Sequence, residues 1–523
     1  MAKSCIIGLD YGSESARGVL IDAATGVQIA SHTHRYRHGI MTRSLPDGTP
    51  LGRGWALQDA ADYLEAAQEI LGRLGGGQTI LSIGIDFTAS SPLPASAAGV
   101  ALSEIHPAIP HAYVKLWKHG AAQPHADAIN RQGGAFLDNF GGKLSGEWLL
   151  AKAAQIAAEA PEIWNKTERF IEAGDWLVWQ LTGHEVRALG FAAYKAQYSP
   201  DVGYPAEVVP GLPGKLAPPL PVGSAAGDLT ADWRGKTGIE GPAIVAVAVI
   251  DSHAVLPAVG AVTTGCLTAA LGTSAAYLFL SQDFRPLPAG IEGVAKDGSV
   301  RGFWCYEAGQ ASFGDMLAWL VRTFPRGADA NESFRLYNSE AAALAPGANH
   351  LLALDWWNGN RVPYADSGLS GFLLGLTMTT TAAGIYRGLI EALCFGGRSI
   401  ADLFEAGGFA IDRVLLTSGL AQNNPLLVQI MADVLERQME VPDIANATAV
   451  GAAIHGAVAG QVVADYAEGA ARFGARSFTR VAPRPASALA YRALYRQYRD
   501  LAANPALKDA MRELNGIASP QAE

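Results

Sequence analysis

The chain has 523 residues, with 39 lysines and arginines against 49 aspartates and glutamates, for a net charge of −10. At 49% hydrophobic and 17% charged residues it can build large cores and is no disordered chain, and its acidic balance disfavours a nucleic-acid binder. Mean hydropathy is +0.13, yet apolar runs such as 243–250 are strand-length, short of the roughly 20 residues of a membrane span.

The length suggests about two to four domains. The apolar run at the amino end is too short for a secretory signal. Apolar stretches at 4–9 and 17–21 flank a turn at Asp10-Tyr11-Gly12-Ser13, and 27–36 alternates after a second turn. Three antiparallel strands are expected. Leu57, Ala61, Leu64, Ala67, Leu71 and Leu74 recur at three- and four-residue spacing and predict a helix. A strand at 80–87 then runs into Asp86-Phe87-Thr88-Ala89-Ser90-Ser91-Pro92, so the class is α/β with a mixed sheet.

Helices are expected at 147–160 and 175–181, the second ended by Thr182-Gly183. The proline- and glycine-rich stretch 200–221 reads as a surface loop. A buried strand at 243–250 leads into Asp251-Ser252-His253. A second cycle follows: strand 266–271, turn Gly272-Thr273-Ser274, returning strand 275–280. Later a strand at 413–417 ends in Ser418-Gly419, and Asn424-Pro425 opens a helix through Leu435. The second cycle repeats the first in kind, without a repeat at the level of letters. The last 40 or so residues read as helical, with Tyr491, Leu494 and Tyr498 near helical spacing, and the tail 519–523 is expected to fray.

Four cysteines (Cys5, Cys266, Cys305, Cys394) lie far apart without a CxxC pair, the pattern of a reducing compartment. Gly235-Lys236-Thr237 mimics the end of a P-loop, but the required glycine is Thr230. There is no complete GxGxxG, HExxH or GxSxG. His32, His34 and His38 share strand parity with no carboxylate or cysteine beside them in sequence, and read as a half-exposed strand face.

Three short motifs carry chemistry. In Gly8-Leu9-Asp10-Tyr11-Gly12-Ser13, an acidic strand end meets a Gly-Ser turn whose amides and hydroxyl can cradle a phosphate while the carboxylate orients its magnesium. An ordinary hairpin turn would look the same. Leu271-Gly272-Thr273-Ser274 is a second such turn. Ser418-Gly419 with Asn424-Pro425 follows a buried strand. There the glycine lets a flat base approach the backbone, whereas Asn-Pro alone would be a helix cap.

In this order, over some 400 residues, the three motifs resemble the phosphate-one, phosphate-two and adenosine motifs of actin-like ATPases. With Ala112-Tyr113-Val114-Lys115-Leu116-Trp117, Ile250-Asp251-Ser252-His253, Glu307-Ala308-Gly309-Gln310 through Asp315, and Leu354-Asp355-Trp356-Trp357-Asn358-Gly359, nearly the whole chain resembles the FGGY carbohydrate kinases. The pairing of the last two segments is typical of the branch acting on ribulose. Ser418 departs from the family, where many members carry a second glycine.

The resemblance implies two duplicated ribonuclease-H-like (actin-like ATPase) domains with mixed sheets flanked by helices and the active site in the cleft between them. Residues 1–260 would bind mainly sugar, and 261–523, with a helical tail, mainly nucleotide. The implied activity is transfer of phosphate from ATP to the terminal hydroxyl of L-ribulose, giving L-ribulose 5-phosphate in arabinose breakdown. D-ribulose, another pentulose or a pentitol is the alternative, with an actin- or chaperone-like ATPase behind it.

By the same resemblance Asp251 is the base, and a carboxylate at the end of an apolar strand is costly unless used. Asp10 would hold Mg2+ through water. Ser13 and Thr273, with the amides of Gly12 and Gly272, would contact the phosphates, and Gly419 and Asn424 would frame adenosine. Ala89, Lys195 and Glu307 would join Asp251 around the sugar, while Trp117 reads as core. Expected partners are a ketopentose and ATP, with neither nucleic acid nor membrane, in the cytoplasm. Family members are often homodimers, which sets the expectation for assembly.

Overall fold

A computed structural model describes residues 3–517 apart from Ala289, so the expected fraying of 519–523 lies outside the described residues. Strands β1 (Ser4–Tyr11), β2 (Ser15–Asp22) and β3 (Gln28–Arg35) form an antiparallel meander. The turn between β2 and β3 is fixed by Asp22, whose Oδ1 accepts from the amides of Ala24 and Thr25. Strand β4 (Thr79–Phe87) lies parallel to β1. Beyond β4 come β5 (Ala225–Asp228), β6 (Ile244–Ala246) and β7 (Val249–Ile250), in the order β5-β6-β4-β1-β2-β3 with β7 on the end of β4.

The stretch expected as one strand over 243–250 is therefore two. Strand β6 pairs with Ser82 and Ile83, and β7 with Asp86 and Phe87, while the amide of Val247 between them donates to Ser224. Helix α1 (Ala60–Gly75) starts at an Asp59 cap and buries Tyr63, Ala66, Ala67, Ile70, Leu71 and Leu74. Leu57, expected at its start, belongs instead to a two-residue strand paired with Val114 and Lys115. Helices α2 (Leu149–Glu159) and α3 (Leu189–Ala196) follow. The stretch 200–221 is a loop with two 3-10 turns and a two-residue strand at its end.

Helix α4 (Asp251–Ala258) leads into a second seven-stranded sheet. Its strands are β8 (Cys266–Leu271), β9 (Ala275–Ser281), β10 (Gly293–Lys296), β11 (Trp304–Gln310), β12 (Arg413–Thr417), β13 (Met439–Pro442) and β14 (Phe478–Val481). They lie in the order β10-β11-β9-β8-β12-β13-β14. Strand β8 is antiparallel to β9 and parallel to β12, as β1 is to β2 and β4. The duplication expected from the turns is thus a duplication of topology. Helices α5 (Ala382–Ala406), α6 (Pro425–Leu435) and α8 (Pro485–Ala503) belong to this half, and α8 buries Tyr491, Tyr495 and Tyr498.

Helix α7 (Ala447–Ala459) lies against the first sheet. The approach requires glycine. A Cβ on Gly8 would lie 1.8 Å from the carbonyl oxygen of Ala449, and one on Gly84 1.7 Å from that of Ala452. A single apolar cluster joins Ile6, Val19 and Ile21 of the first sheet to Leu278, Leu280 and Leu415 of the second through Leu256, Ala453 and Ile454. Among the described residues no helix is long and apolar enough to cross a membrane.

Candidate active site

Parallel pairing sets the carboxyl ends of β1, β4 and β7 side by side: Asp10 is opposite Asp86, and Phe87 is opposite Ile250. Each strand delivers a carboxylate there, with Asp251 following β7 as the first residue of α4. A cleft of about 1550 Å³ opens at these ends between the two sheets. Asp10, Ala89, Lys195, Asp251, Gly272, Thr273, Glu307 and Gly419 all line it.

Asp251 is pushed up to about 7, first by burial and then by the charges of Asp10 and Glu307, against the opposing amide of Ser252, which donates to its Oδ1 at 2.7 Å. Burial likewise raises Asp10, against a hydrogen bond from Asp86 and the charge of Arg17, its cross-strand neighbour. Asp86 is fully buried and raised well above the carboxylate range by burial and by Asp10 and Asp251. Neither of its oxygens has a donor to accept from. The upward shift favours a proton on Asp86, which would make one of these oxygens a donor facing Asp10.

At the wall where α3 meets β11, Lys195 Nζ lies 3.5 Å from Glu307 Oε2, and the buried His253 Nε2 lies 3.6 Å from the same oxygen. His253 is held from its other nitrogen by Ser299 Oγ at 2.6 Å. Burial alone would raise Glu307, but Lys195, then His253 and Arg361, hold it well below the carboxylate range. Arg361 also reaches Glu147 at 3.4 Å across the cleft.

The two phosphate-type turns differ in detail. The amide of Gly12 donates to Ser15 and that of Gly272 to Ser274, so both are engaged within their own turns. Ser13 Oγ accepts from Trp117 Nε1 at 2.9 Å, which leaves its own proton free to donate. Gly12 and Ser13 sit beside the cleft rather than on its lining, whereas Trp117, read from sequence as core, lines it. At Gly419 a Cβ would meet nothing nearer than Asn423 Nδ2 at 3.8 Å, so the backbone is open to approach. Asn424 is 3% exposed, does not line the cleft, and caps α6 by accepting from the amide of Leu427. Gln422, Asn446 and Thr448 line the cleft beside Gly419 instead. Ser418 has φ +108°, a backbone region that favours glycine, and its hydroxyl donates to the carbonyl of Leu271.

Two motif segments noted in the sequence meet in the structure. Gln310 Nε2 donates to Asp355 Oδ2, and Asn358 Nδ2 to Asp315 Oδ2. Sequence reasoning passed over Asp86, Glu292 and Arg361. Asp86 carried a signal, since it stands at a strand end as Asp10 and Asp251 do. His32 and His34 face Glu69 and Glu65 of α1, at 3.6 and 4.0 Å.

Among the described residues no group of three or more histidines, cysteines, aspartates or glutamates is arranged to hold a metal ion. Asp10, one of several carboxylates on the cleft lining, therefore suits a magnesium that would bring phosphate and water as its other ligands, and not a cation in a cage of side chains.

The FGGY family of carbohydrate kinases, C-terminal domain, matches residues 267–460. The chain is 39% identical to a ribulokinase from Halalkalibacterium halodurans, covering 95% of this chain and 94% of that protein. It is 38% identical to one from Mycolicibacterium smegmatis over 96% and 94%. Among solved structures, a xylulose kinase from Rhodospirillum rubrum superposes with a TM-score of 0.83 at 22% identity, covering 97% and 99% of the two chains. A glycerol kinase from Plasmodium falciparum, with ADP, superposes at 0.79 and 12% identity over 96% and 99%.

Proposed function

The chain belongs to the FGGY family of carbohydrate kinases, and we propose that it transfers the terminal phosphoryl group of ATP to the terminal hydroxyl of L-ribulose, giving L-ribulose 5-phosphate. The observation that carries the reading is Asp251, a carboxylate pushed up to about 7, in one cleft with the Lys195–Glu307 pair and the Gly272-Thr273 turn. The choice of ribulose is supported by the near-full-length likeness to ribulokinases.

Phosphoryl transfer asks for alignment and charge neutralisation more than for covalent chemistry. Asp251 accepts the proton of the attacking hydroxyl. Lys195 donates to sugar hydroxyls, Glu307 accepts from them, and Ala89 lets the sugar approach the turn that carries it. Thr273 and Ser13 present hydroxyls to phosphate oxygens, with Gly12 and Gly272 shaping the turns. Gly419 admits the base, and Asn424 supports that wall through the start of α6. Asp10 would hold, through water, a magnesium brought by ATP, and that ion would supply neutralisation of phosphate charge. We assign residues 1–260 mainly to sugar and 261–523 mainly to nucleotide. A homodimer in the cytoplasm is the working form.

The test is ATP turnover with L-ribulose, D-ribulose, L-xylulose, ribitol and no sugar. The highest kcat/KM is expected with L-ribulose. Preference for another of the sugars would move the assignment within the family, and turnover independent of sugar would overturn it.

A further inference from the structure

Beneath the sugar-side wall lies a buried amine that proton transfer does not use. Lys152, in the first turn of α2, is 0% exposed. Its Nζ donates to three backbone carbonyls: Ser90 at 2.8 Å, Leu116 at 2.9 Å and Lys115 at 3.3 Å. An ammonium has three protons, so the set is complete. Ser90 is gripped from its other side by Glu172, 3% exposed, which accepts from Ser90 Oγ at 3.0 Å and from the Ser91 amide at 2.7 Å. One residue of the turn is thus held from both sides. Its neighbours Thr88 and Ala89 line the cleft with it.

The second arm of Lys152 has the same destination. Leu116 precedes Trp117, whose indole lines the cleft and donates to Ser13 Oγ at 2.9 Å. The chain of contacts therefore runs from the sugar-side turn through Lys152 to the turn after β1. Burying two ionisable groups is costly before their hydrogen bonds are counted. A helix that needed only apolar cover at position 152 would be served by leucine or methionine.

We propose that Lys152, with Glu172, is a positioning residue for the sugar: it fixes the 88–91 turn and holds it in register with Trp117. The proposal rests on the sugar-kinase reading above. It differs from a plain structural role in what it makes depend on these two residues. A purely structural pair would set stability alone; a positioning pair also sets sugar affinity, and reaches the phosphate turn only at second hand through Trp117 and Ser13.

The experiment compares Lys152→Met and Glu172→Gln with the wild type in KM for sugar, KM for ATP, kcat and melting temperature. The sugar is whichever pentulose the wild type turns over fastest. Lys152→Met is expected to raise the sugar KM about tenfold or more while the ATP KM stays within about twofold. Glu172→Gln keeps the shape and an acceptor for the Ser91 amide, and is expected to raise the sugar KM about threefold or more. It carries the test alone should Lys152→Met not accumulate as folded protein. An unchanged sugar KM, or sugar and ATP KM rising together, overturns the proposal. A wild type that phosphorylates no sugar overturns the kinase reading instead, so the two failures are told apart.

Discussion

Lys195 Nζ and Glu307 Oε2 stand 3.5 Å apart, and they come from opposite halves of the molecule: Lys195 from α3, Glu307 from β11. That end of the cleft, proposed to bind sugar, is built at the junction of the halves. Alanine at either position should raise the sugar KM roughly tenfold to over a hundredfold, the size of one buried charge-assisted hydrogen bond of about 1.5–3 kcal/mol. The ATP KM should hardly change. Steady-state kinetics with each substrate varied in turn checks this, and unaltered sugar kinetics in both variants would remove the pair from the site.

As the proposed base, Asp251 takes up a proton only when ionised, and burial pushes it up to about 7. The rate should therefore climb about tenfold per pH unit below that point and level off above it. Asp251→Asn should lower kcat about 10²–10⁴-fold with ATP affinity unchanged, and should flatten the acid limb. Stability moves the other way. Between an unfolded value of 3.8 and the folded one, the folded state holds more protons, so stability falls as pH rises through that window. Asp251→Asn should then melt higher than wild type at pH 8, by a few degrees, with the gap closing toward pH 4. Melting curves across that range settle the sign.

Asp10 precedes the Gly-Ser turn and lies opposite Asp86 on the neighbouring strand, a setting different from that of Asp251. Asp10→Asn should lose activity in a way that added magnesium partly restores, whereas Asp251→Asn should not respond. A magnesium titration of kcat for both variants separates the two roles.

Gly84 offers a test far from any chemistry. An alanine there puts Cβ 1.7 Å from the carbonyl oxygen of Ala452, a clash with backbone that no rotamer relieves. The cost should reach or exceed the roughly 3 kcal/mol upper end of ordinary overpacking. Gly84→Ala should therefore unfold at lower denaturant or fail to accumulate. Normal stability would mean that α7 can retreat from the sheet without penalty.

How far the sequence is legible follows from contrast along the chain. Strands β8 and β12 read to the residue, because apolar runs end abruptly at Gly272 and at Ser418-Gly419. Helix α7 gives no such edge. It is buried on most faces and rich in alanine and glycine, so no polar stripe marks a period of 3.6. The same holds at the site. Asp251 is conspicuous as a charge ending an apolar strand. Lys152 is not, because a lysine in an alanine-rich helix looks solvated until the fold places three carbonyls around its amine. Asn424 shows the converse: its place before proline is explained in full by capping α6.

The apolar cluster shared by Ile6 and Val19 with Leu278 and Leu280 bears on the history of a duplicated chain. Two copies of one topology have come to own part of their interior jointly, so neither can be made alone without baring it to water. Cutting the gene near residue 260 should give two fragments that aggregate apart and are rescued, if at all, only by synthesis together. What began as a repeat is now inherited, expressed and lost as a single unit.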